Sequence, residues 1–170
     1  MGGRGASSSL LGGLNKKLLT IEQGKRSLDK EMLTIMSRDG KILKQILGQE
    51  TSVKVKYPEL TRDNITTHNH PSNDVSYFSS ADLETFIHNR VYETRVSTDK
   101  EVYSLKRAEE RVNNRFPIKY RIAVSNAVKK ARSETTDNAE VHALTSEYVH
   151  KWMKRNAKKN GFTYKRIRYK

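Results

Sequence analysis

The sequence predicts an α/β (α+β) fold, in which a mixed sheet packs against flanking helices and a basic helical C-terminal extension follows. Short segments rich in β-branched residues alternate with segments whose apolar residues recur every three or four positions. Two turn signals, Asp39-Gly40 and Thr98-Asp99-Lys100, each separate a pair of strand-like segments, as hairpins require. The chain is long enough for one core. We therefore expect a flexible segment over 1–13, a main domain over 14–107 and the extension over 108–170.

The first half of the chain is predicted to contain one helix and four short strands. Residues 1–13 are rich in glycine and serine, which favours a mobile segment. Residues 14–26 carry leucine and isoleucine at helical spacing, so a first helix is expected there. The predicted strands are 32–36, 42–47, the pair Val53 and Val55, and 64–67.

The second half is predicted to begin with a helix over 81–89, for which Ser79 or Ser80 is a suitable N-cap. A final hairpin is expected from strands 94–97 and 102–105. After Arg107 the pattern changes to two longer amphipathic helices, 118–134 and 139–160, and Gly161 is a natural stop for the second. The sequence leaves open whether this extension docks on the sheet or forms a separate basic arm.

The composition excludes several classes of chemistry. There is no cysteine, so disulfides, thiol catalysis and cysteine-ligated zinc are excluded, and His, Asp and Glu remain as metal ligands. No apolar run has the length of a membrane span. The N-terminus lacks the hydrophobic segment of a secretory signal. We therefore expect an intracellular, cytoplasmic protein.

The chain is strongly basic, with a formal net charge of +14, and the excess is concentrated at its C-terminal end. From Lys151 onward there are nine basic residues and no acidic one, and aromatic residues are interleaved with them. This pattern favours contact with nucleic acid or another polyanion. An acidic protein partner, or a solvated helix face with its aromatics in the core, would fit the same pattern. The candidate nucleic-acid-binding residues are Lys151, Lys154, Arg155, Lys158, Lys159, Lys165, Arg166 and Arg168.

Two histidines, His68 and His70, follow a strand-like segment and are separated by one residue. In extended backbone such positions point the same way, so both rings can approach one metal ion. Asp82, about one turn into the following helix, could be a third ligand. Three protein ligands leave a fourth tetrahedral position for water, which is the arrangement of catalytic rather than structural zinc. An ordinary polar turn is the alternative, since Asn, Pro and Ser favour turns.

The segment His68-Asn69-His70-Pro71-Ser72, followed by Ser79-Ser80-Ala81-Asp82, resembles the metal signature of the JAB/MPN (JAMM) superfamily. It is most similar to the form found in RadC-like proteins and in phage or mobile-element JAB-like domains. The resemblance covers roughly 28–106 and implies an α/β fold and the cleavage of a peptide or isopeptide bond. It further implies that His68, His70 and Asp82 bind zinc, that Ser79 supports the oxyanion, and that an upstream glutamate is the general base.

The sequence departs from the family pattern at two points. The family usually has ten residues between the second histidine and the aspartate, whereas 71–81 make eleven. The position of the glutamate is also ambiguous. Glu31, at the start of an early strand, is the best candidate, and Glu50 and Glu59 are alternatives.

Three functions are compatible with these patterns. The first is a zinc-dependent hydrolase, encoded by a phage or mobile element and working near nucleic acid. The second is a non-catalytic accessory or anti-defence factor that keeps the fold and binds nucleic acid or protein. The third is a metal-dependent nuclease. The string His-Asn-His does not itself indicate an HNH nuclease, whose motif residues are dispersed in sequence.

Overall fold

The computed structural model describes residues 5–49, 53, 57–71 and 76–169, and it shows a six-stranded mixed sheet flanked by helices. The helices are α1 (Gly5–Gly24), α2 (Pro58–Thr61), α3 (Ser80–His88), α4 (Phe116–Glu134) and α5 (Asn138–Asn156). The strands are β1 (Met32–Met36), β2 (Ile42–Leu47), β3 (Ile65–Asn69), β4 (Glu93–Ser97), β5 (Glu101–Arg107) and β6 (Phe162–Arg168). The predicted mixed sheet with flanking helices is confirmed.

The strand order in the sheet is β2-β1-β3-β4-β5-β6. All neighbouring pairs are antiparallel except β3 and β4, which are parallel and are connected through α3. A parallel pair needs such a crossover because the chain must return to the same end of the sheet. The loop after β3 and the start of α3 consequently meet at one end of the sheet.

The two faces of the sheet are covered by different helices. The larger core, on one face, contains residues of α3, α4 and α5, including Phe86, Phe116 and Met153. The smaller core, on the other face, joins Leu18 of α1 to the strands. Because side chains alternate along a strand, every second residue of β3 faces α3 and the others face α1.

The α1 face of the sheet carries a buried group of charges. Arg95 of β4 donates from Nε and Nη2 to the two carboxylate oxygens of Glu22, at 2.6 and 3.0 Å. Its Nη1 donates to Glu93 at 3.0 Å. Lys25 Nζ donates to the Thr67 carbonyl at 3.0 Å, and burial lowers the pKa of Lys25 to about 8, although the charge of Glu22 opposes this. These contacts attach the end of α1 to β3 and β4.

The C-terminal extension docks on the sheet, which decides between the two predicted alternatives. Helices α4 and α5 pack on the larger core, and β6 pairs with β5 along its whole length. The extension was predicted to be helical, but its last part, Phe162–Arg168, forms strand β6 because it pairs with β5. The second predicted helix ends at Asn156 rather than at residue 160. Gly161, with a φ of 88°, instead ends the short 3-10 helix over Lys158–Asn160 that follows it.

Three further elements differ from the prediction. Residues 5–13 were assigned to a flexible segment from their composition, but they form the first turns of α1. Once the later turns of the helix are formed and packed on the sheet, each preceding residue can be added with one further hydrogen bond. The short helix α2 was not predicted. Val53 has no regular structure and Val55 lies outside the described residues. Among the helices that the structure describes, none has the length and apolar character required to cross a membrane.

Candidate metal centre

The end of β3 presents both histidines to the same face of the sheet. The backbone around them is held by β4: the His70 N–H donates to the Ser97 carbonyl at 2.8 Å, and Ser97 Oγ donates to the His68 carbonyl at 3.3 Å. Both rings are buried, each residue being 5% exposed. The alternation predicted from the sequence therefore places the two imidazoles side by side, with their ring centroids 5.0 Å apart.

The first turn of α3 presents Asp82 to the two rings. Ser79 is the N-cap, and its Oγ accepts a hydrogen bond from the Asp82 N–H at 3.1 Å. In return, the Ser79 N–H donates to Asp82 Oδ2 at 2.6 Å. This reciprocal capping box fixes the carboxylate at the helix N-terminus, where the helix dipole favours negative charge.

The three side chains converge on one point. His68 Nε2 lies 3.1 Å from His70 Nε2 and 3.2 Å from Asp82 Oδ1, and His70 Nε2 lies 3.6 Å from Asp82 Oδ2. In a tetrahedral site with metal–ligand bonds of about 2.0–2.1 Å, neighbouring ligand atoms stand about 3.3 Å apart. The spacing of these atoms thus matches the ligand spacing around one metal ion. His68, His70 and Asp82 form a buried cluster that could bind a metal.

The electrostatics of the cluster favour a bound cation. Burial would raise the pKa of the Asp82 carboxyl, but its interactions with His68 and then His70 outweigh burial and hold the pKa below its usual range. The carboxyl is therefore ionised at neutral pH. Ring nitrogens and carboxylate oxygens that point at one another repel unless protons or a cation lie between them. Zinc suits these ligands, as do other first-row ions.

The longer interval between His70 and Asp82 does not separate them. Eleven residues intervene, yet the carboxylate remains next to both rings. The additional residue lies in the connection before α3, of which 72–75 are outside the described residues. The position of Asp82 is set by the cap of α3, so the connection can vary in length without moving the carboxylate.

Both predicted catalytic residues line the same pocket as the three candidate ligands. This pocket has a volume of about 210 Å³, and Glu31 and Ser79 are part of its wall together with the apolar Phe86 and Val91. Glu31 is 5% exposed and directly precedes β1. Of the alternative bases, Glu59 is exposed on α2 and does not line the pocket, and Glu50 lies outside the described residues.

Asn69, between the two histidines, was not predicted as a site residue. Its side chain points away from the rings, as the alternation of β3 requires. Asn69 Oδ1 accepts from the Met32 N–H at 2.7 Å, and its Nδ2 donates to the Lys30 carbonyl at 3.1 Å. These bonds hold the backbone on both sides of Glu31. The only sequence signal for this role is the position of Asn69 next to the ligands, because its partners are distant in sequence.

The predicted nucleic-acid-binding residues are distributed over three elements. Those at 151, 154 and 155 lie on α5, those at 158 and 159 on the 3-10 helix, and the others on β6. Arg166 is paired with Glu101 and Glu147, with N···O distances of 2.6 and 2.5 Å. Arg168, 74% exposed, lies 3.7 Å from Glu101. Within the described residues, Arg166 and Arg168 are the members of the predicted set that lie near an acidic residue, and the others form no ion pair.

The aromatic residues of the basic segment pack against the larger core to different extents. Phe162 is 1% exposed and belongs to the larger core, and Tyr164 packs against that core. Tyr164 also places its hydroxyl 3.0 Å from His150 Nδ1. Trp152 is likewise half-buried and packs against the same core. Phe162, Tyr164 and Trp152 therefore all contact the larger core, as the interpretation with the aromatics in the core expected, although Tyr164 and Trp152 remain partly exposed.

Comparisons with known proteins identify no relative. No family model matches the chain, and neither the curated proteins nor the solved structures contain a significant match.

Proposed function

We propose that this protein is a zinc-dependent hydrolase of the JAB/MPN (JAMM) type, which cleaves a peptide or isopeptide bond. The observation that carries the proposal is the composition of one small pocket. It is lined by two buried imidazoles and a carboxylate at ligand spacing, and by a second acidic residue, Glu31, that is not one of these three candidate ligands. Catalytic zinc sites combine such ligands with a separate carboxylate that acts as a base.

Five residues of the pocket have a direct role in this reaction. His68, His70 and Asp82 would hold the zinc, which when bound supplies a Lewis acid and lowers the pKa of a coordinated water to about 7. Glu31 takes a proton from the attacking water as the water oxygen bonds to the carbonyl carbon. Ser79 Oγ accepts from the Asp82 N–H, so its own proton can be donated to the developing oxyanion. The C–N bond then breaks, and Glu31 returns the proton to the leaving amine.

The size and walls of the pocket suit a polymeric substrate. Its volume of about 210 Å³ is below the range of about 300–1,000 Å³ that is typical of small-molecule sites. Only the atoms around the scissile bond would enter, and the rest of the substrate would lie across the mouth. Leu33, Phe86 and Val91 provide apolar walls, which strengthen electrostatic interactions by excluding bulk water.

Metal content is the test of this proposal. Tag-free protein is expected to contain about one zinc per chain by elemental analysis, and the His68→Ala/His70→Ala double variant is expected to contain essentially none. The matched control is His88→Ala/His142→Ala, which removes two exposed histidines outside the cluster and should retain the metal. Circular dichroism establishes that each variant is folded. Wild-type protein that takes up no zinc on reconstitution would exclude the hydrolase and favour a non-catalytic binding factor.

Asn69→Ala is expected to lower kcat by about 10–100-fold while zinc content and KM change little. The reason is that the loss of its two backbone hydrogen bonds allows Glu31 to move relative to the metal ligands. The measurement is kcat and KM on a peptide substrate, together with the zinc content of the same preparation. A lower kcat with unchanged KM and zinc content would identify Asn69 as a positioning residue. Asn126→Ala, at an exposed position on α4, is the control and should be unaffected. Unchanged kcat in folded, zinc-loaded Asn69→Ala would contradict the assignment.

A further inference from the structure

A groove of about 610 Å³ lies between α4 and α5. On α4 its wall includes Lys119 and Lys130, and on α5 it includes Tyr148, Lys151, Trp152 and Arg155. Residues 148, 151, 152 and 155 share one helix face because they are three or four positions apart. The two lysines on α4 are eleven positions apart, which corresponds to about 16 Å along a helix. The groove is therefore elongated, with cations along both sides.

The charge of the groove is positive. Among the described residues, four basic ones and no acidic one line it. In the described part of the chain none of these four cations forms an ion pair, in contrast to Arg166 on β6. The nearest acid in contact with a lining residue is Glu134, which accepts a hydrogen bond from the Tyr148 hydroxyl at 2.7 Å. The groove thus carries excess positive charge that the protein itself does not neutralise.

Two aromatic rings lie among these cations. Lys130 Nζ is 4.3 Å and Lys151 Nζ is 6.0 Å from the centroid of the Tyr148 ring. Trp152 is half-buried: its ring packs 5.6 Å from that of Phe116 and 6.0 Å from that of Tyr120, and it also lines the groove. A ring that is held by the core and is also accessible in the groove is suited to stacking against another flat group.

We propose that the groove between α4 and α5 binds single-stranded nucleic acid, with phosphates on Lys119, Lys130, Lys151 and Arg155 and a base stacked on Trp152. Unpaired cations in a row match a phosphate backbone. The aromatic surface selects an unpaired strand, because the bases of a duplex are already stacked on one another. An acidic peptide would match the charge but would leave the aromatic surface without a partner.

The test uses the full chain and an oligothymidylate of roughly 12 nucleotides, within the site sizes of about 4–16 nucleotides known for such binders. Trp152 is the only tryptophan in the chain, so its fluorescence reports on the groove. Saturable quenching is expected on titration. The Lys130→Gln/Lys151→Gln/Arg155→Gln variant should bind at least tenfold more weakly at about 0.1 M salt. The slope of the logarithm of its binding constant against the logarithm of the salt concentration should be smaller in magnitude by about 2, since each lost phosphate contact reduces this slope by about 0.7.

The matched control is Lys158→Gln/Lys159→Gln/Lys165→Gln, which removes the same charge from exposed positions outside the groove. Its affinity should stay within about threefold of wild type. Equal losses in the two triple variants would overturn the proposal in favour of diffuse attraction to the basic surface. Tighter binding of a duplex of the same length, or equal quenching by polyglutamate, would also overturn it.

Discussion

Glu31→Gln is expected to lower the rate of substrate hydrolysis by about 10²–10⁴-fold, the range typical of losing a general base. Glutamine has nearly the same shape as glutamate but cannot accept the proton of the attacking water. Glu31 lies outside the ligand cluster, so zinc content should remain at the wild-type level. The measurement is the initial rate on a peptide or isopeptide that wild-type protein cleaves, together with elemental analysis of the same preparation.

Two variants at the other candidate bases serve as controls for this prediction. Glu59→Gln changes an exposed residue on α2 that does not line the pocket, so it should leave the rate unchanged. Glu50→Gln should also leave it unchanged if Glu31 is the base. Full activity of Glu31→Gln would contradict the assigned role, and loss of activity in Glu50→Gln instead would transfer that role to Glu50.

Glu22→Ala is expected to lower the free energy of unfolding by about 3 kcal/mol, at the lower end of the usual cost of removing one member of a buried ion pair, because Arg95 keeps its contact with Glu93. Arg95 is 1% exposed, and two of its nitrogens donate to Glu22. Thr67 Oγ1 also donates to Glu22, at 2.9 Å. The substitution would leave all three donors without this acceptor. A loss of this size is a large part of the roughly 5–15 kcal/mol that stabilises a typical domain.

Urea unfolding followed by circular dichroism measures this effect. Glu22→Gln retains the shape and one acceptor oxygen, so its loss of stability should be intermediate. Glu109→Ala, which removes an exposed carboxylate, should change the free energy of unfolding by no more than about 0.5 kcal/mol. A loss below about 1 kcal/mol in Glu22→Ala would mean that the ion pair contributes little to holding α1 on the sheet.

The parts of the fold that were predicted correctly depend on short-range signals. Gly40, with a φ of 92°, provides the turn between β1 and β2 that Asp39-Gly40 indicated. Ser79 caps α3, as the sequence suggested, and this cap directs Asp82 towards His68 and His70. In each case a few neighbouring residues determine the local backbone and hence the direction of the side chains.

The errors concern elements whose structure depends on distant contacts. The start of α1 lies in a stretch whose composition suggested mobility, but the helix continues through it from the part packed on the sheet. Strand β6 is rich in basic residues, which concealed its pairing with β5. Strand formation depends on the neighbouring strand and on burial more than on intrinsic preference, so a single segment does not reveal it.

By itself, the sequence determined the turns, the helix cap and the presence of two histidines and an aspartate able to face one point. Only the tertiary structure brought Glu31 into the pocket of these three residues and placed Asn69 against the backbone on both sides of Glu31. It likewise joined cations of α4 and α5 in one groove. The physical reason is that turns and caps arise from bonds among adjacent residues, whereas strand pairing and helix packing arise from burial shared by residues far apart in sequence.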